Sequence, residues 1–303
     1  MEQDVIVRKA KEFVDSIKNE MVSYGYDNVY NSDQSGFNLE LHAGRTLFLA
    51  GAKHVESIVQ SKISTTHSYT VQPLISASGK LVSPLLVVLR EPSGEFGPRV
   101  EQNLFRPENV YIMASKSGKL TTEHFKTWMT EVFIPNTGQK SLLLLDSWSG
   151  QCPAVIQAVY INDKDITART IPAGTTGMIQ PLDVFGFRVW KNFVRKFSDA
   201  VLLYNYDINL HERNNLIKLQ SLVHNQLSSP RYTNLFKYSW FKSGYIEERP
   251  PEFENPVEYS FNTVASKCDL CNQVAVFKCG WCKKNLCFKH FFDEYHYCNT
   301  YNP

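Results

Sequence analysis

Four consecutive leucines, Leu142 to Leu145, run straight into Asp146, and the turn Ser147-Trp148-Ser149-Gly150 follows. A short apolar run bounded by turn residues reads as a buried strand. An aspartate at its end stands at the rim of a sheet, where α/β proteins place their sites. The rest of the chain is read around this one strand.

Upstream, Val7, Ala10, Val14, Ile17 and Met21 recur with helical spacing among Lys and Glu, which predicts an amphipathic helix over 4–22, ended by Gly25. A short strand over 29–33 and a turn at Gln34-Ser35-Gly36 follow. Segments 45–50 and 68–76 are further strand candidates, and Ala77-Ser78-Gly79 turns the second into 81–89 as a hairpin. Pro73 and Pro84 each remove a ladder donor, so they favour edge positions or bulges. Residues 91–109 are rich in proline, glycine and charge and read as a loop. Thr121 and Thr122 cap a helix whose apolar residues Phe125, Trp128, Met129, Val132 and Phe133 keep one face. After the leucine strand come a weak helix over 154–160 and a strand over 166–171. A long helix opens at Asp183 and runs to about Leu203, and another spans 213–227. The long helix carries an apolar stripe (Phe187, Trp190, Val194, Phe197, Val201) and a basic one (Arg188, Lys191, Arg195).

Hydrophobic content of 43% and charge of 20% describe a chain able to bury a core, not a disordered one. A net charge of +2 does not by itself argue for nucleic acid, so any basic surface is local. No signal-peptide pattern opens the sequence, and apolar runs such as 85–89 fall far short of the roughly 20 residues of a membrane span. The expected location is the nucleus or cytosol, with no membrane partner.

Three aspartates stand out by their surroundings. Asp33 lies in Asn31-Ser32-Asp33-Gln34-Ser35-Gly36-Phe37, and Asp146 ends the run from Leu142. Asp183 closes Ile179-Gln180-Pro181-Leu182-Asp183, which follows Ile171-Pro172-Ala173-Gly174-Thr175-Thr176. Taken singly, Asp33 and Asp146 read as turn residues and Asp183 as a helix N-terminal charge. Together, over about 26–245, the three stretches resemble the catalytic motifs of the DDE superfamily of transposases, in its mariner/pogo branch. The 36 residues between Asp146 and Asp183 also fit that branch.

The resemblance implies an α/β, ribonuclease H-like fold, a mixed sheet flanked by helices, with Asp33, Asp146 and Asp183 as a catalytic triad holding Mg²⁺ or Mn²⁺. It implies a DNA endonuclease and strand transferase that nicks DNA at transposon ends. Two such ions about 3.5–4 Å apart clamp the attacking and leaving oxygens of a phosphodiester. Mg²⁺ is hard and prefers carboxylate oxygens. Three close carboxylates repel one another, which favours capture of cations. Arg188, Lys191 and Arg195 are the candidate contacts to the DNA backbone, weighed against the ordinary reading of a solvated helix face. Relatives often carry Glu after the first aspartate, where Gln34 stands here. The second motif usually continues with Asn and His, where Ser147 and Trp148 stand. Neither change removes a carboxylate. The remaining histidines, His42, His54, His67, His124, His211 and His224, are given no role, and Thr65-Thr66-His67 is the one group considered near the site.

Six of the seven cysteines lie between Cys268 and Cys298, and only Cys152 lies elsewhere. The pattern Cys268-x2-Cys271-x7-Cys279-x2-Cys282-x4-Cys287-x2-His290-x5-His296-x-Cys298 supplies eight ligands, as many as two tetrahedral zinc sites need. So short a segment cannot bury enough core to fold alone, so metal supplies the missing stability. The spacing resembles cross-brace modules of the MYND and B-box kind. That resemblance implies one site of Cys268, Cys271, Cys287 and His290, and another of Cys279, Cys282, His296 and Cys298. A sequential grouping, the first four and then the last four, stays open. Four protein ligands on each zinc leave no position for a reacting water, so both ions are expected to be structural.

The expected organisation is a helix over 1–25, a catalytic domain over 26–245, a proline-rich linker over 246–265 and the zinc module over 266–303. Relatives carry helix-turn-helix domains ahead of the catalytic domain, and here about 25 residues precede the first motif. The expectation is therefore a truncated copy, an incomplete reading frame or a domesticated remnant. The alternative function is a catalytically idle factor that binds DNA or protein through the zinc module and the basic surface. The expected partners are DNA, with a protein at the zinc module and a second copy of the chain as further candidates.

Overall fold

The computed structural model describes residues 3–39, 68–159, 164–263 and 266–303. The strands are β1 (Val29–Ser32), β2 (Ser35–Asn38), β3 (Ser68–Ser76), β4 (Leu81–Arg90), β5 (Val110–Ser115), β6 (Lys140–Leu145) and β7 (Asp165–Thr170). Among the described residues these seven form one mixed sheet in the order β5-β4-β3-β1-β6-β7, with β2 on β3. β1 pairs with the second half of β3 and β2 with the first. β6 lies between β1 and β7 and is parallel to both.

That position accounts for the leucine run. A parallel central strand is buried on both faces and tolerates no polar alternation. Leu142 and Leu144 enter one apolar core, and Leu143 and Leu145 enter the other. The first core is covered by the helices Gln3–Tyr24, Phe187–Leu203 and Arg213–Leu227, the second by Thr122–Trp128 and its continuation. The N-terminal helix buries Ala10, Val14, Ile17 and Met21, while Val7, expected on the same face, is 46% exposed. Thr121 caps its helix as predicted. Its side chain accepts the His124 N–H at 3.3 Å, and the His124 ring accepts the Thr121 N–H at 3.2 Å. His224 is a buried link between the Val82 carbonyl and Asn109, and burial pushes its pKa down to about 4.

Several local readings differ from the structure. The expected turn at Gln34-Ser35-Gly36 is largely strand, because Phe37 is buried and stacks on Tyr69 at 5.7 Å, pulling β2 onto β3. Pro73 and Pro84 lie in interior strands rather than edges, at the register shift between β3 and β4, the bulge alternative expected of them. The loop expected over 91–109 contains the short helix Pro98–Asn103. β5 and the helix Thr233–Lys242 were not foreseen. Segment 45–50, His42, His54, His67, Thr65, Thr66 and the end of the 154–160 helix lie outside the described residues. No helix among the described residues is long and apolar enough to cross a membrane.

The span 246–265, expected as a linker, is packed where it is described. Glu247 pairs with Lys18 at 3.1 Å and Glu254 with Arg231 at 2.8 Å. Phe253 meets Tyr238 and Phe185 at ring distances of 5.2 and 6.0 Å. The helix Pro256–Phe261 places Phe261 against Phe193 and Phe277 at 5.1 and 5.4 Å. Beyond it lies the ribbon β8 (Phe277–Lys278) and β9 (Asn285–Leu286). Phe197 of the long helix meets Phe288, Phe291 and Phe292 at 5.1–6.0 Å. The C-terminal module therefore shares one apolar core with the sheet.

Candidate active site

The parallel register of β1 and β6 sets Asn31 opposite Leu144. Asp33 and Asp146 each lie two residues further on, so both emerge at the same end of neighbouring strands. Asp183 approaches from the helical layer, in the wide turn Leu182–Gly186 that leads into the helix Phe187–Leu203. The structure thus brings the three aspartates to one edge of the sheet.

Asn31 holds the three segments together. Its Nδ2 donates to the Leu144 carbonyl at 3.1 Å and to Gln180 Oε1 at 2.9 Å, and its Oδ1 accepts the Leu182 N–H at 3.2 Å. One fully buried amide therefore joins β1, β6 and the stretch before Asp183. Asp146 is fixed locally: its Oδ1 accepts the Trp148 N–H at 3.1 Å and an amide hydrogen from Gln151. The Oδ1 of Asp33 accepts the Gln34 N–H at 2.7 Å. Sequence reasoning gave Asn31, Gln151 and Gln180 no role. Asn31 and Gln180 stand inside the quoted motifs, but nothing local in the sequence shows that they face each other.

The electrostatics are those of crowded carboxylates. Burial, and then the charges of Asp183 and Asp146, push the Asp33 pKa up to about 8 against the pull of the Gln34 N–H and Gln180. The Asp183 pKa is raised by partial burial and by Asp146, while its contact with Asp33 and the charge of Lys191 act the other way. Lys191 is pulled down by its own burial, although Asp183 and Asp33 favour its charge. Its Nζ lies 5.3 Å from the centre of the Phe37 ring. Of the three candidate basic residues, Lys191 is the one that faces the aspartates. Arg188 is exposed, and Arg195 donates to Asn192 Oδ1 at 2.8 Å. Hard oxygen donors that repel one another fit a divalent cation of the Mg²⁺ or Mn²⁺ class.

The cysteines and histidines form two quartets. Cys268, Cys271, Cys287 and His290 come together, as do Cys279, Cys282, His296 and Cys298, with ligand atoms within 4.8 Å of one another in each. This is the interleaved grouping and not the sequential one. The aspartates are not drawn together that tightly. In the first quartet His290 turns Nδ1 to Cys268 and Cys287 at 3.3 and 3.2 Å. In the second His296 turns Nε2 to Cys282 at 3.5 Å. Behind His290, Glu294 Oε2 lies 3.6 Å from Nε2, the usual place for a carboxylate that orients a ligating imidazole. Burial resists ionisation of Cys268, but backbone N–H groups of Cys287, Leu270 and Cys271 and the His290 ring outweigh it and bring the thiol to about 6. Three sulfurs and one imidazole per quartet fit tetrahedral zinc.

The second quartet is joined to the sheet domain through the helix Arg213–Leu227. Asn225 Nδ2 donates to the Cys298 carbonyl at 2.8 Å, and Gln226 Oε1 accepts the Gly280 N–H at 2.7 Å. Further along that helix Gln220 accepts from Trp190 at 2.9 Å and donates to Tyr69 at 2.6 Å.

Residues 74–237 match the model of the DDE superfamily endonuclease, a span that includes Asp146 and Asp183, and residues 240–298 match the Tc5 transposase C-terminal domain. A human protein described as a pogo transposable element with ZNF domain is 29% identical over 101 residues, 32% of this chain and 7% of that protein. The Mos1 transposase paired-end complex with left transposon end is similar over 82% of this chain and 65% of that one, at 7% identity and a TM-score of 0.41. The catalytic domain of Mos1 mariner transposase is similar over 82% of this chain and 98% of that one, at 7% identity and a TM-score of 0.35. The family match spans more than half of the sequence, and the chain belongs to the DDE superfamily endonucleases.

Proposed function

We propose that the chain is the cutting and joining unit of a transposase, a DNA endonuclease and strand transferase dependent on Mg²⁺ or Mn²⁺. The observation that carries this reading is the convergence of Asp33, Asp146 and Asp183 at one sheet edge, locked by Asn31. Asp33, Asp146 and Asp183 would hold the divalent cations, which when bound polarise the phosphodiester and lower the pKa of the attacking hydroxyl or water. The chain's own residues set the stage for that chemistry. β1 and β6 fix two carboxylates by their register, and the turn at Leu182 brings in the third. Lys191 offsets part of the negative charge beside Asp183. Arg188 and Lys191, one turn apart, lead from the acids along the long helix and suit the phosphates of a DNA backbone. The two quartets would hold zinc as a structural ion, tying the C-terminal module to the sheet domain.

The test is nicking of a plasmid carrying the cognate transposon end by the full chain. The wild type should nick with Mg²⁺ or Mn²⁺ and not with a chelator, and Asp146→Ala should be folded and inactive. A folded wild type that binds neither ion at millimolar concentration sinks the reading. DNA binding that survives Asp146→Ala while the wild type never nicks would favour the idle-factor alternative.

A further inference from the structure

Two buried glutamines stand beside the acidic edge, Gln180 with no exposed surface and Gln151 at 2%. Amide orientation is normally ambiguous between oxygen and nitrogen. Here two backbone atoms decide it. The Leu144 carbonyl can only accept and the Leu182 N–H can only donate. Asn31 bridges the two, so its Nδ2 must face Leu144 and its Oδ1 must face Leu182. The second Nδ2 hydrogen is directed at Gln180, so Gln180 must present Oε1 to Asn31. Its Nε2 is thereby turned the other way, near enough to the Asp33 carboxylate to favour its charge, and is itself buried with no hydrogen-bond partner. At Asp146, Gln151 Nε2 donates to Oδ1, the oxygen that also accepts the Trp148 N–H at 3.1 Å. With two donors on Oδ1, the Asp146 carboxylate is pinned and Oδ2 is the oxygen left to a cation.

We infer that Gln180 and Gln151 are positioning residues: each presents an amide hydrogen to one aspartate and fixes the carboxylate in the orientation that holds a divalent cation. This rests on the metal-binding reading above. The bonded chain Leu144–Asn31–Gln180 carries the polarity of the sheet backbone to the site, so the unpartnered Gln180 donor cannot flip to an acceptor without breaking a buried bond. Gln151 achieves the same for Asp146 from the turn that follows β6. Groups of this kind, behind the ligating atoms, commonly change metal affinity by about 10–100-fold when removed.

The experiment is Mn²⁺ titration of the full chain, followed by electron paramagnetic resonance, with folding checked by circular dichroism and melting. The variants are Gln180→Met, Gln151→Met and Gln151→His, with Asp146→Ala as the control. The methionine variants keep side-chain length and lose the donor. Each should fold and bind Mn²⁺ about 10–100-fold more weakly, and Gln151→His, which restores an N–H donor, should recover most of the loss. Wild-type affinity in a folded Gln151→Met protein overturns the inference while leaving the metal site standing. If Gln180→Met does not fold, the pair Gln151→Met and Gln151→His still decides, because Gln151 lies in a turn outside the Asn31 lock. No Mn²⁺ binding by the wild type overturns the metal-binding reading and this inference together.

Discussion

Asn225 and Cys298 exchange two hydrogen bonds across the joint between the sheet domain and the C-terminal module: Nδ2 to the Cys298 carbonyl at 2.8 Å, and the Cys298 N–H to Oδ1 at 3.3 Å. Cys298 belongs to the second quartet, and Asn225 lies on a helix whose Gln220 bonds β3 and the long helix. Metal held by that quartet is therefore expected to stabilise the whole chain. Removing zinc with a chelator should lower the melting temperature in a single transition. Asn225→Ala should cost about 1–3 kcal/mol, since it orphans buried partners, or roughly 2–4 °C per kcal/mol in a chain of this size. Calorimetry showing a separate transition for the module, with the sheet domain unmoved by chelation, would refute the coupling.

The Asn31 lock predicts a second loss. Asn31→Ala leaves the Leu144 carbonyl, the Leu182 N–H and Gln180 Oε1 without their partner. The cost should be about 3 kcal/mol in urea unfolding, and nicking should fall further than stability alone explains, because Asp183 loses its tie to β1. A variant as stable and as active as the wild type would show that the lock is dispensable.

Asp33 makes stability depend on pH in an unusual direction. Its pKa is raised by burial first and by its like-charged neighbours next, from an ordinary 3.8 to about 8. Between those values the folded chain keeps a proton that the unfolded chain releases, so the Asp33 contribution to stability falls as pH rises from about 4 to about 8. Asp33→Asn removes that loss. Without divalent ions, the variant should melt higher than the wild type at pH 8, with the advantage shrinking towards pH 4. Divalent ions should raise the wild-type melting temperature more than that of the variant. Equal melting curves at pH 8 would contradict the buried, crowded carboxylate described above.

Arg188 and Lys191 are expected to act on DNA through charge. Each phosphate contact removed lowers the slope of log K against log salt by about 0.9 on duplex DNA. The Arg188→Ala, Lys191→Ala double variant should weaken binding at low salt and flatten that slope by nearly two. A slope unchanged within one unit would return these side chains to an ordinary solvated face.

The elements carried by short-range pattern were legible in the sequence: the N-terminal helix, the β3–β4 hairpin, the capped helix after Thr121, the leucine strand and the long helix after Asp183. Their signals are periodicity and caps, which act within a few residues. β2 and β5 were missed because their burial comes from partners far along the chain, Tyr69 for Phe37 and the parallel ladder of β4 for β5.

The site divides in the same way. The sequence offered the three aspartates through the resemblance of their surroundings to the DDE motifs, and the eight cysteines and histidines through their paired spacing. Only the tertiary structure set Asp33 level with Asp146 through the β1–β6 register and packed the span 246–263 against the sheet domain, and it chose the interleaved quartets implied by the cross-brace resemblance over the sequential grouping. It alone turned Asn31 to Gln180 and Gln151 to Asp146. A hydrogen bond between side chains 149 residues apart leaves no trace in local spacing, because its geometry exists only once the sheet and its helices have closed around it.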